Sequence, residues 1–407
     1  MTSPVGRVLR WSFGDEGDVA ADALLQLLMA TTMMSVAGVF VVSPIVSSLA
    51  EPFGVSGATA GQLMTVFTAP SILLAPVMGM LADRIGRKPV LVGGLVVFGI
   101  AGAGVGLVGS FLAALVLRAL QGVGYAATIP IAVAIIGDLY EGGREATAQG
   151  LRVAGIQTTS FVLPPIAGAL VGQSWRLPFF LFAIALPVAG WAWVALPSFE
   201  LEETRSVGRY VRDLAAAVGR PLMALVMISF ALRFLLTFGF FAYVSVLLAD
   251  VLGASAVTSG LVVGIFGVTS MVAATQAGRL ADRWNALLVM VGGFAVAGVG
   301  LAAVGVISAL PAIGLMTGIF GVGAGVTGPV QKSLVTQLAT PSLRAGSVSA
   351  AVILQSIGQT AGPLVMGGLI ATLSAAESFL VLGIVGGGLG VASMLAAYVL
   401  GGRAGAL

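Results

Sequence analysis

Long apolar stretches separated by short polar breaks run through the whole chain. A membrane-spanning helix needs about 20 consecutive, mostly apolar residues, and breaks at charges, prolines and glycine-serine clusters leave twelve such stretches. They cover residues 22–48, 59–82, 89–108, 111–137, 147–171, 177–196, 221–248, 257–280, 286–307, 311–336, 346–371 and 377–400. The pattern predicts an all-α integral membrane protein with twelve transmembrane helices.

The longest polar stretch, residues 197–220, divides these predicted helices into two sets of six. We expect an N-terminal six-helix bundle over residues 1–197, a cytoplasmic linker over 198–220 and a C-terminal six-helix bundle over 221–407. Within the linker, the sequence Tyr-Val-Arg-Asp-Leu at 210–214 is typical of a short interfacial helix.

The two halves repeat at one constant offset. Moving the first half by 199 residues (278 minus 79) superposes the Gly-x-Leu-Ala-Asp-Arg stretches that begin at Gly79 and Gly278. The same offset matches Val-Gly-Gly at 92 and 291, Gly-Val-Gly at 122 and 321, and Pro-x-x-x-Gly at 164 and 363. Matches at one offset in separate loops and helices predict two pseudo-symmetric bundles, related by an axis along the membrane normal.

Composition excludes several classes of protein. Apolar residues make up 58% of the chain, charged residues 9%, and the mean hydropathy is +1.09, which excludes a soluble domain. Because the chain has no Cys and no His, it lacks disulfides, thiol nucleophiles and the common imidazole or thiolate metal ligands. We therefore predict that the protein has no metal, no cofactor and no enzyme activity. An ATP-driven pump is not indicated either, because the chain lacks the Gly-Lys-Ser/Thr sequence that binds nucleotide phosphates.

The positions of Lys and Arg predict the orientation in the membrane. With the N-terminus inside, the outer loops hold only Arg176, whereas Arg152, Arg220 and Arg279 lie at inner helix ends. The inner loops and tails hold Arg7, Arg10, Arg84, Arg87, Lys88, Arg144, Arg205, Arg209, Arg212, Arg283, Arg344 and Arg403. Since basic residues concentrate on the cytoplasmic side, we expect a multi-pass protein of the cell membrane with both termini cytoplasmic and no signal peptide. The net charge of +3 therefore indicates no nucleic-acid partner.

A charged turn between the second and third predicted helices reads Gly-Met-Leu-Ala-Asp-Arg-Ile-Gly-Arg-Lys over residues 79–88. It closely resembles the signature loop of the major facilitator superfamily, Gly-x-Leu-Ala-Asp-Arg-x-Gly-Arg-Lys. The resemblance implies that Gly79 lets helices approach closely, and that Asp83 faces the start of the eleventh helix, where the helix dipole favours an anion. The conformational switch implied in this way comprises Gly79, Asp83, Arg84, Gly86, Arg87, Lys88 and Asp138.

A simpler interpretation of the same turn stays open. Three cations within residues 84–88 are typical of any cytoplasmic turn, with no switching role. Asp138, at the inner end of the fourth predicted helix, is expected to form an ion pair with Arg84 or Arg87.

The fourth predicted helix carries a buried cation, Arg118, followed by Gln121-Gly-x-Gly. This resembles the second motif of the same family, Arg-x-x-Gln-Gly-x-Gly, and implies a role of Arg118 in coupling, with Gln121 on nearly the same helix face. A cation inside the membrane must face the interior and find acceptors. The alternative is structural, with Arg118 binding backbone carbonyls and holding the first helix.

The seventh predicted helix carries a second deep cation, Arg233. It lies twelve residues after Pro221, which places it about 18 Å deep, near the membrane midplane. The matching position of the first half is Met34, so this charge is not part of the repeat. We expect Arg233 to meet the substrate, the alternative being a structural contact between helices.

No carboxylate falls in the middle of any predicted helix. Many multidrug members of the family use a deep acid, so the chain departs from that pattern, and Asp22 and Asp138 are the remaining candidates for proton binding. Further polar candidates for the substrate or coupling site are Gln157, Gln355, Gln359 and Tyr243. Each glutamine either lines the cavity or bridges two helices.

These observations together predict a secondary transporter that works by alternating access, resembling the drug and metabolite efflux branch with proton coupling. A small molecule, protons and the lipid bilayer are the expected partners, and a monomer is the expected state. The alternatives are an anion-selective porter that uses Arg118 and Arg233 as counter-charges, and a receptor or scaffold on the same fold.

Overall fold

The computed structural model of the chain describes residues 19–199, 219–339 and 344–404. Its regular structure in these ranges is helical, and twelve helices are long and apolar enough to cross a membrane. They are α1 Ala23–Phe53, α2 Gly57–Ile85, α3 Arg87–Leu107, α4 Phe111–Leu139, α5 Gly142–Val171, α6 Leu177–Ala195, α7 Pro221–Leu252, α8 Ala256–Arg283, α9 Ala286–Val306, α10 Leu310–Leu338, α11 Gly346–Ile370 and α12 Ala375–Gly401. The predicted fold class is confirmed. The interfacial helix expected at 210–214 and most of the linker lie outside the described residues.

Several helices begin at a polar residue that interrupts the apolar pattern. The side chain of Asp22 accepts the Leu24 N–H at 2.9 Å at the start of α1, and Asn285 does the same at α9. Ser56 and Ser255 cap α2 and α8 in the same way. The first N–H groups of a helix lack partners within it. These side chains supply partners, and so the sequence breaks become helix starts.

The turn between α2 and α3 consists of a single residue, Gly86. Its φ of 97° and ψ of 148° belong to a region that side chains with a Cβ atom rarely adopt. A glycine here lets α3 begin at Arg87 directly after α2 ends at Ile85. The two helices therefore run antiparallel with the charged turn at their shared end.

The sequence repeat reappears as a repeat of helix packing. A Cβ atom placed on Gly94 of α3 would lie 3.1 Å from the Gly124 carbonyl oxygen of α4. One placed on Gly293 of α9 would lie 3.3 Å from the Gly323 carbonyl oxygen of α10. Both pairs differ by the 199-residue offset, and small residues permit this close approach of membrane helices. The two halves thus form two pseudo-symmetric six-helix bundles.

We name the two ends of the molecule by residues that lie there. The Arg87 end carries the start of α1 and the turn between α2 and α3, whereas the Phe53 end carries the turn between α1 and α2. At the Phe53 end the bundles are in direct contact. Gly168 and Gly260 bring the backbones of α5 and α8 together, which closes one side of the interface.

The helices α1 and α7 close the interface further at the Phe53 end. The hydroxyl of Ser43 donates to the Phe241 carbonyl at 2.5 Å, and the Ser47 N–H donates to the Ser245 hydroxyl at 3.3 Å. Ser43 lies in a short 3-10 turn, Ser43–Ile45, that interrupts α1. These hydrogen bonds join the first bundle to the second.

A second group of contacts between the bundles lies near the middle of the helices. Thr68 of α2 donates to the Gln359 carbonyl at 3.4 Å and accepts from the Thr360 hydroxyl at 3.2 Å. The Gln359 side chain is also hydrogen-bonded to Tyr125 of α4. The hydrogen bonds between the bundles therefore lie at the Phe53 end and in the middle, as far as the described residues show them.

Candidate functional site

Arg118 of α4 is completely enclosed, and all three of its nitrogen atoms are engaged. Nε donates to the Leu63 carbonyl at 3.1 Å, Nη2 to the Gly38 carbonyl at 3.0 Å and Nη1 to the Gln121 side chain at 2.5 Å. The guanidinium also lies over the Phe67 ring, 4.3 Å from its centroid. Each nitrogen thus already donates to a protein acceptor, which supports the structural alternative, with Arg118 holding α1, α2 and α4 together. The expected coupling or counter-charge role of Arg118 and Gln121 stays a prediction.

Arg233 of α7 is held in a different way. Its Nε donates to the Gln331 side chain of α10 at 2.9 Å, and Gln331 in turn donates to the Ser229 hydroxyl at 2.8 Å. The guanidinium lies 4.2 Å from the centroid of the Phe234 ring. In the described ranges, Nη1 and Nη2 have neither a hydrogen bond nor an ion pair, so the end of this half-buried cation is free.

Two further cations belong to this region, and neither was among the site residues expected from the sequence. Lys332 directly follows Gln331, the residue that accepts from Arg233. Lys332 of α10 interacts electrostatically with Arg233 and with Arg152 of α5. The Lys332 side chain is exposed, and its ammonium group has no partner among the described residues. Arg152 is 7% exposed and donates from Nε to the Gln149 side chain at 2.9 Å. We call Arg152, Arg233 and Lys332 the cation cluster.

The cation cluster lies inside the membrane-spanning part of three helices. At about 1.5 Å per residue, Arg152, Arg233 and Lys332 lie about 15, 18 and 9 Å from the ends of α5, α7 and α10 that belong to the Arg87 end. Lys332 already falls within the predicted span 311–336. The same rule that drew attention to Arg233, a charge within a span, would therefore have found Lys332.

Both carboxylates considered for proton binding have partners. Asp22 caps α1 and also accepts the Tyr140 hydroxyl of α4 at 2.6 Å. Asp138 forms an ion pair with Arg87, which is one of the two pairs expected from the sequence. Neither carboxylate has a hydrogen bond or ion pair with the cation cluster, so they do not neutralise the positive charge there.

The basic residues of the charged turn bind the first bundle. Arg87 donates to the Ala134 carbonyl of α4 at 3.2 Å, and Lys88 donates to the Leu196 carbonyl at 2.8 Å and lies over the Trp193 ring. Arg84 is exposed. These contacts fasten the turn to α4 and to the end of α6.

Two residues of the same turn, Gly79 and Asp83, have few contacts with the described residues. No heavy atom lies within 4 Å of a Cβ atom placed on Gly79, so the close helix approach expected there is not formed in this conformation and stays a prediction. The physical reason is that α2 has no close neighbour on that side at the Arg87 end. Asp83 is half-buried and has no hydrogen bond or ion pair with the described residues. Its expected contact with the start of α11 stays a prediction, because residues 340–343 are outside that set.

The remaining polar candidates occupy different places. Tyr243, expected at the substrate site, is 1% exposed and lies at the Phe53 end, where its hydroxyl donates to the Ala58 carbonyl at 2.9 Å. It therefore closes the interface between the bundles. Gln359 is 3% exposed and joins α11 to α4, the bridging role considered for it. Gln157 and Gln355 are half-buried.

A cleft of about 660 Å³ lies beside Tyr243, between α2, α7 and α11. Its lining includes Gln62, Thr65, Asp250 and Gly367. It contains none of the three cations, and its only charged lining residue is Asp250, near the Phe53 end of α7. We therefore regard it as a feature of the interface rather than as the substrate site.

Comparison with known proteins gives concordant matches. The family model described as Major Facilitator Superfamily matches residues 28–363. The chloramphenicol resistance protein of Streptomyces lividans is 28% identical over 336 residues, which cover 80% of this chain and 83% of that protein. Multidrug resistance protein 2 of Bacillus subtilis (strain 168) is 26% identical over 224 residues, 54% of this chain and 56% of that protein.

A solved structure has the same arrangement of helices. It is the crystal structure of a bacterial homolog of the human lysosomal transporter Spinster, in an inward-facing and unoccupied conformation. The match covers 92% of this chain and 94% of that one, with 18% identity and a TM-score of 0.73. At this identity the likeness concerns the fold.

Proposed function

The chain belongs to the Major Facilitator Superfamily, and we propose that it is a secondary active transporter that exports small amphipathic drugs or metabolites by alternating access. Family membership and the names of its relatives support transport and efflux. The observation that carries the proposal is Arg233 of α7, a cation near the middle of its helix whose Nη1 and Nη2 have no partner in the described ranges, because such transporters bind substrate near the membrane midplane.

Alternating access requires that the two bundles, 1–197 and 221–407, rock against each other about the site. We assign the Arg87 end to the cytoplasm, because the basic loops lie there. The bundles are joined at the Phe53 end and in the middle, so we interpret the conformation as inward-facing. Substrate then enters from the cytoplasm and leaves after the Phe53 end opens.

We include proton coupling in the proposal, with Asp22 and Asp138 as the carboxylates that exchange protons. Both lie at the Arg87 end, and each joins two elements through a single strong contact. Protonation of either carboxylate would weaken that contact. A pH gradient could thereby change the balance between the two conformations.

Transport in proteoliposomes tests the proposal. We expect radiolabelled chloramphenicol to cross the liposome membrane only when the protein is present, and to cross it faster when a pH gradient is imposed. The chain has no Cys, so the variant Ser47→Cys/Ser245→Cys supplies a matched control at two positions joined by a 3.3 Å hydrogen bond. Oxidation of this pair should stop transport, and reduction should restore it.

Two results would contradict the proposal at different levels. Transport that continues after the cysteine pair has been oxidised would rule out rocking of the bundles at the Phe53 end. Absence of flux for chloramphenicol and for the three fluorescent probes described below would instead favour the receptor or scaffold alternative.

A further inference from the structure

We propose that the substrate is an amphipathic organic anion whose acid group binds Arg233, Lys332 and Arg152. The inference rests on the proposed transport function and specifies the substrate class of the same site. It differs from the anion site expected from the sequence, because Arg118 is replaced by Arg152 and Lys332.

The first argument is the charge of the site. Lys332 interacts electrostatically with Arg233 and Arg152, and no carboxylate is among the groups that act on it. The ion pair in the described part of the chain, Arg87 with Asp138, lies elsewhere. Unpaired cations within a membrane protein are costly unless water or a ligand solvates them. An anion bound at the cluster would offset this positive charge.

The second argument is how the two arginines are held. In each, a glutamine accepts from Nε, Gln331 for Arg233 and Gln149 for Arg152. This leaves the Nη1 and Nη2 edge of each guanidinium without a partner in the described structure. A free edge of this kind suits two parallel hydrogen bonds to a carboxylate, sulfonate or phosphate. Lys332 adds a mobile point charge.

The third argument is a contrast with other cations of the same molecule. Arg118 uses every nitrogen, and Arg176 donates to the Gly106 carbonyl at 2.9 Å and lies over Trp175. The fold thus provides partners for cations that have structural roles. Shifted by the 199-residue repeat, the three cluster positions correspond to Ala351, Met34 and Val133. The cluster is therefore not required by the repeated scaffold.

Apolar side chains near the cluster indicate an amphipathic rather than a small inorganic anion. Met29 and Met33 of α1 are half-buried and lie beside Gly155, one helical turn from Arg152. Phe234 follows Arg233 and packs beneath its guanidinium. Methionines provide an adaptable apolar surface, which fits a variable hydrophobic part of the ligand.

Three dansyl probes test the charge preference directly. Dansylglycine, dansylglycinamide and dansylcadaverine carry the same fluorescent ring with a negative charge, no charge and a positive charge. We expect purified protein to bind dansylglycine at least about tenfold more tightly than the amide, which corresponds to one charge-assisted contact, and to bind dansylcadaverine least.

Variants of the cluster then test which cations cause the preference for dansylglycine. Lys332→Gln should weaken dansylglycine binding about tenfold and leave binding of the amide within about twofold, since Lys332 is exposed and unpartnered. Arg233→Gln should act in the same direction, and Arg233→Lys should recover part of the affinity. Arg279→Gln is the matched control, because Arg279 is an exposed cation of α8 that contacts Gln276. Ligand-free thermal unfolding confirms that each variant is folded.

The outcomes separate this inference from the proposed function. Equal binding of the anion and the amide, or an equal loss in Lys332→Gln and Arg279→Gln, would overturn the anion site. If chloramphenicol is transported while dansylglycine is not preferred, only the substrate class is wrong. If dansylglycine binds in a Lys332-dependent way but no compound crosses the liposome membrane, the anion site stands and the transport proposal fails.

Discussion

Two arginines lie deep in the bundles, and their nitrogen atoms are engaged differently. Arg118 donates to two backbone carbonyls and to Gln121, and it is 0% exposed. Arg233 donates from Nε alone. A guanidinium whose three nitrogens all donate to fixed acceptors stabilises the fold, whereas one with a free edge can bind a ligand. The same residue type therefore has a structural role in α4 and a proposed binding role in α7.

We expect Arg118→Gln to lower stability rather than substrate affinity. The change removes hydrogen bonds from a charged group and the contact with Phe67, at a cost of about 2–4 kcal/mol. Thermal unfolding of the ligand-free protein in detergent should shift to a clearly lower temperature. The dansylglycine affinity of the folded fraction should stay within about twofold of wild type, since each nitrogen of Arg118 already donates to a protein acceptor. Normal stability with lost affinity would show that Arg118 belongs to the binding site.

At the scale of the elements, α7 is the helix that connects the site to the closed end. It carries Arg233 near its middle and Tyr243 nearly three turns later. The Tyr243 ring fits between Gly61 of α2 and Gly367 of α11, and its hydroxyl binds the Ala58 carbonyl. Opening of the Phe53 end therefore requires Tyr243 to leave this glycine-lined socket.

We expect Gly61→Val to favour opening of the Phe53 end. A Cβ atom at Gly61 would collide with the Tyr243 ring, so the ring could no longer occupy the socket. A single Ser245→Cys reporter, buried in wild type, should then react faster with a membrane-impermeant thiol reagent added outside. Gly368→Val is the matched control, since nothing lies within 4 Å of a Cβ atom there. Equal labelling in the two variants would exclude Tyr243 as the closing element.

At the scale of the whole molecule, the two halves repeat in sequence and in helix packing, but the contacts between them are not symmetric. The packing glycines of α3–α4 and α9–α10 correspond at the 199-residue offset, but the contacts between the bundles favour the Phe53 end. The charged turn is also unequal in the two halves. Gly86 with its positive φ ends α2, whereas α8 ends at Arg283 and α9 begins at the Asn285 cap.

This asymmetry predicts unequal effects of two matched substitutions. Asp83→Asn should shift the protein further towards the inward-facing state by about two- to fivefold, because a carboxylate at a helix start contributes about 0.5–1 kcal/mol to the outward-facing state. Labelling of Ser245→Cys from outside should fall, and labelling of Lys332→Cys from the cytoplasmic side should rise. Asp282→Asn should have the smaller effect, since its turn lacks the Gly and the Arg-Lys pair.

Two results would contradict this prediction. Unchanged labelling at both reporters in Asp83→Asn would leave the plain basic turn as the better interpretation. An equal or larger shift in Asp282→Asn would show that the two turns act symmetrically.

The sequence by itself determined the membrane fold, the repeat and part of the charged turn. Each predicted span overlaps one helix of the structure, because a chain in lipid must satisfy its backbone groups within a helix, and that requirement is local. The repeat was visible because packing glycines such as Gly94 and Gly293 keep one spacing. The ion pair of Asp138 was predictable because Arg87 follows a turn that must lie at the same membrane surface.

Only the tertiary structure decided which cations are free. Arg118 finds acceptors on α1 and α2, whereas Lys332 of α10 interacts electrostatically with Arg233 of α7 and Arg152 of α5. Such groupings depend on which helix faces meet across long sequence separations, and hydropathy contains no information about that. Tyr243 is a further example, because its position in the socket results from the contact of α2, α7 and α11 in this conformation.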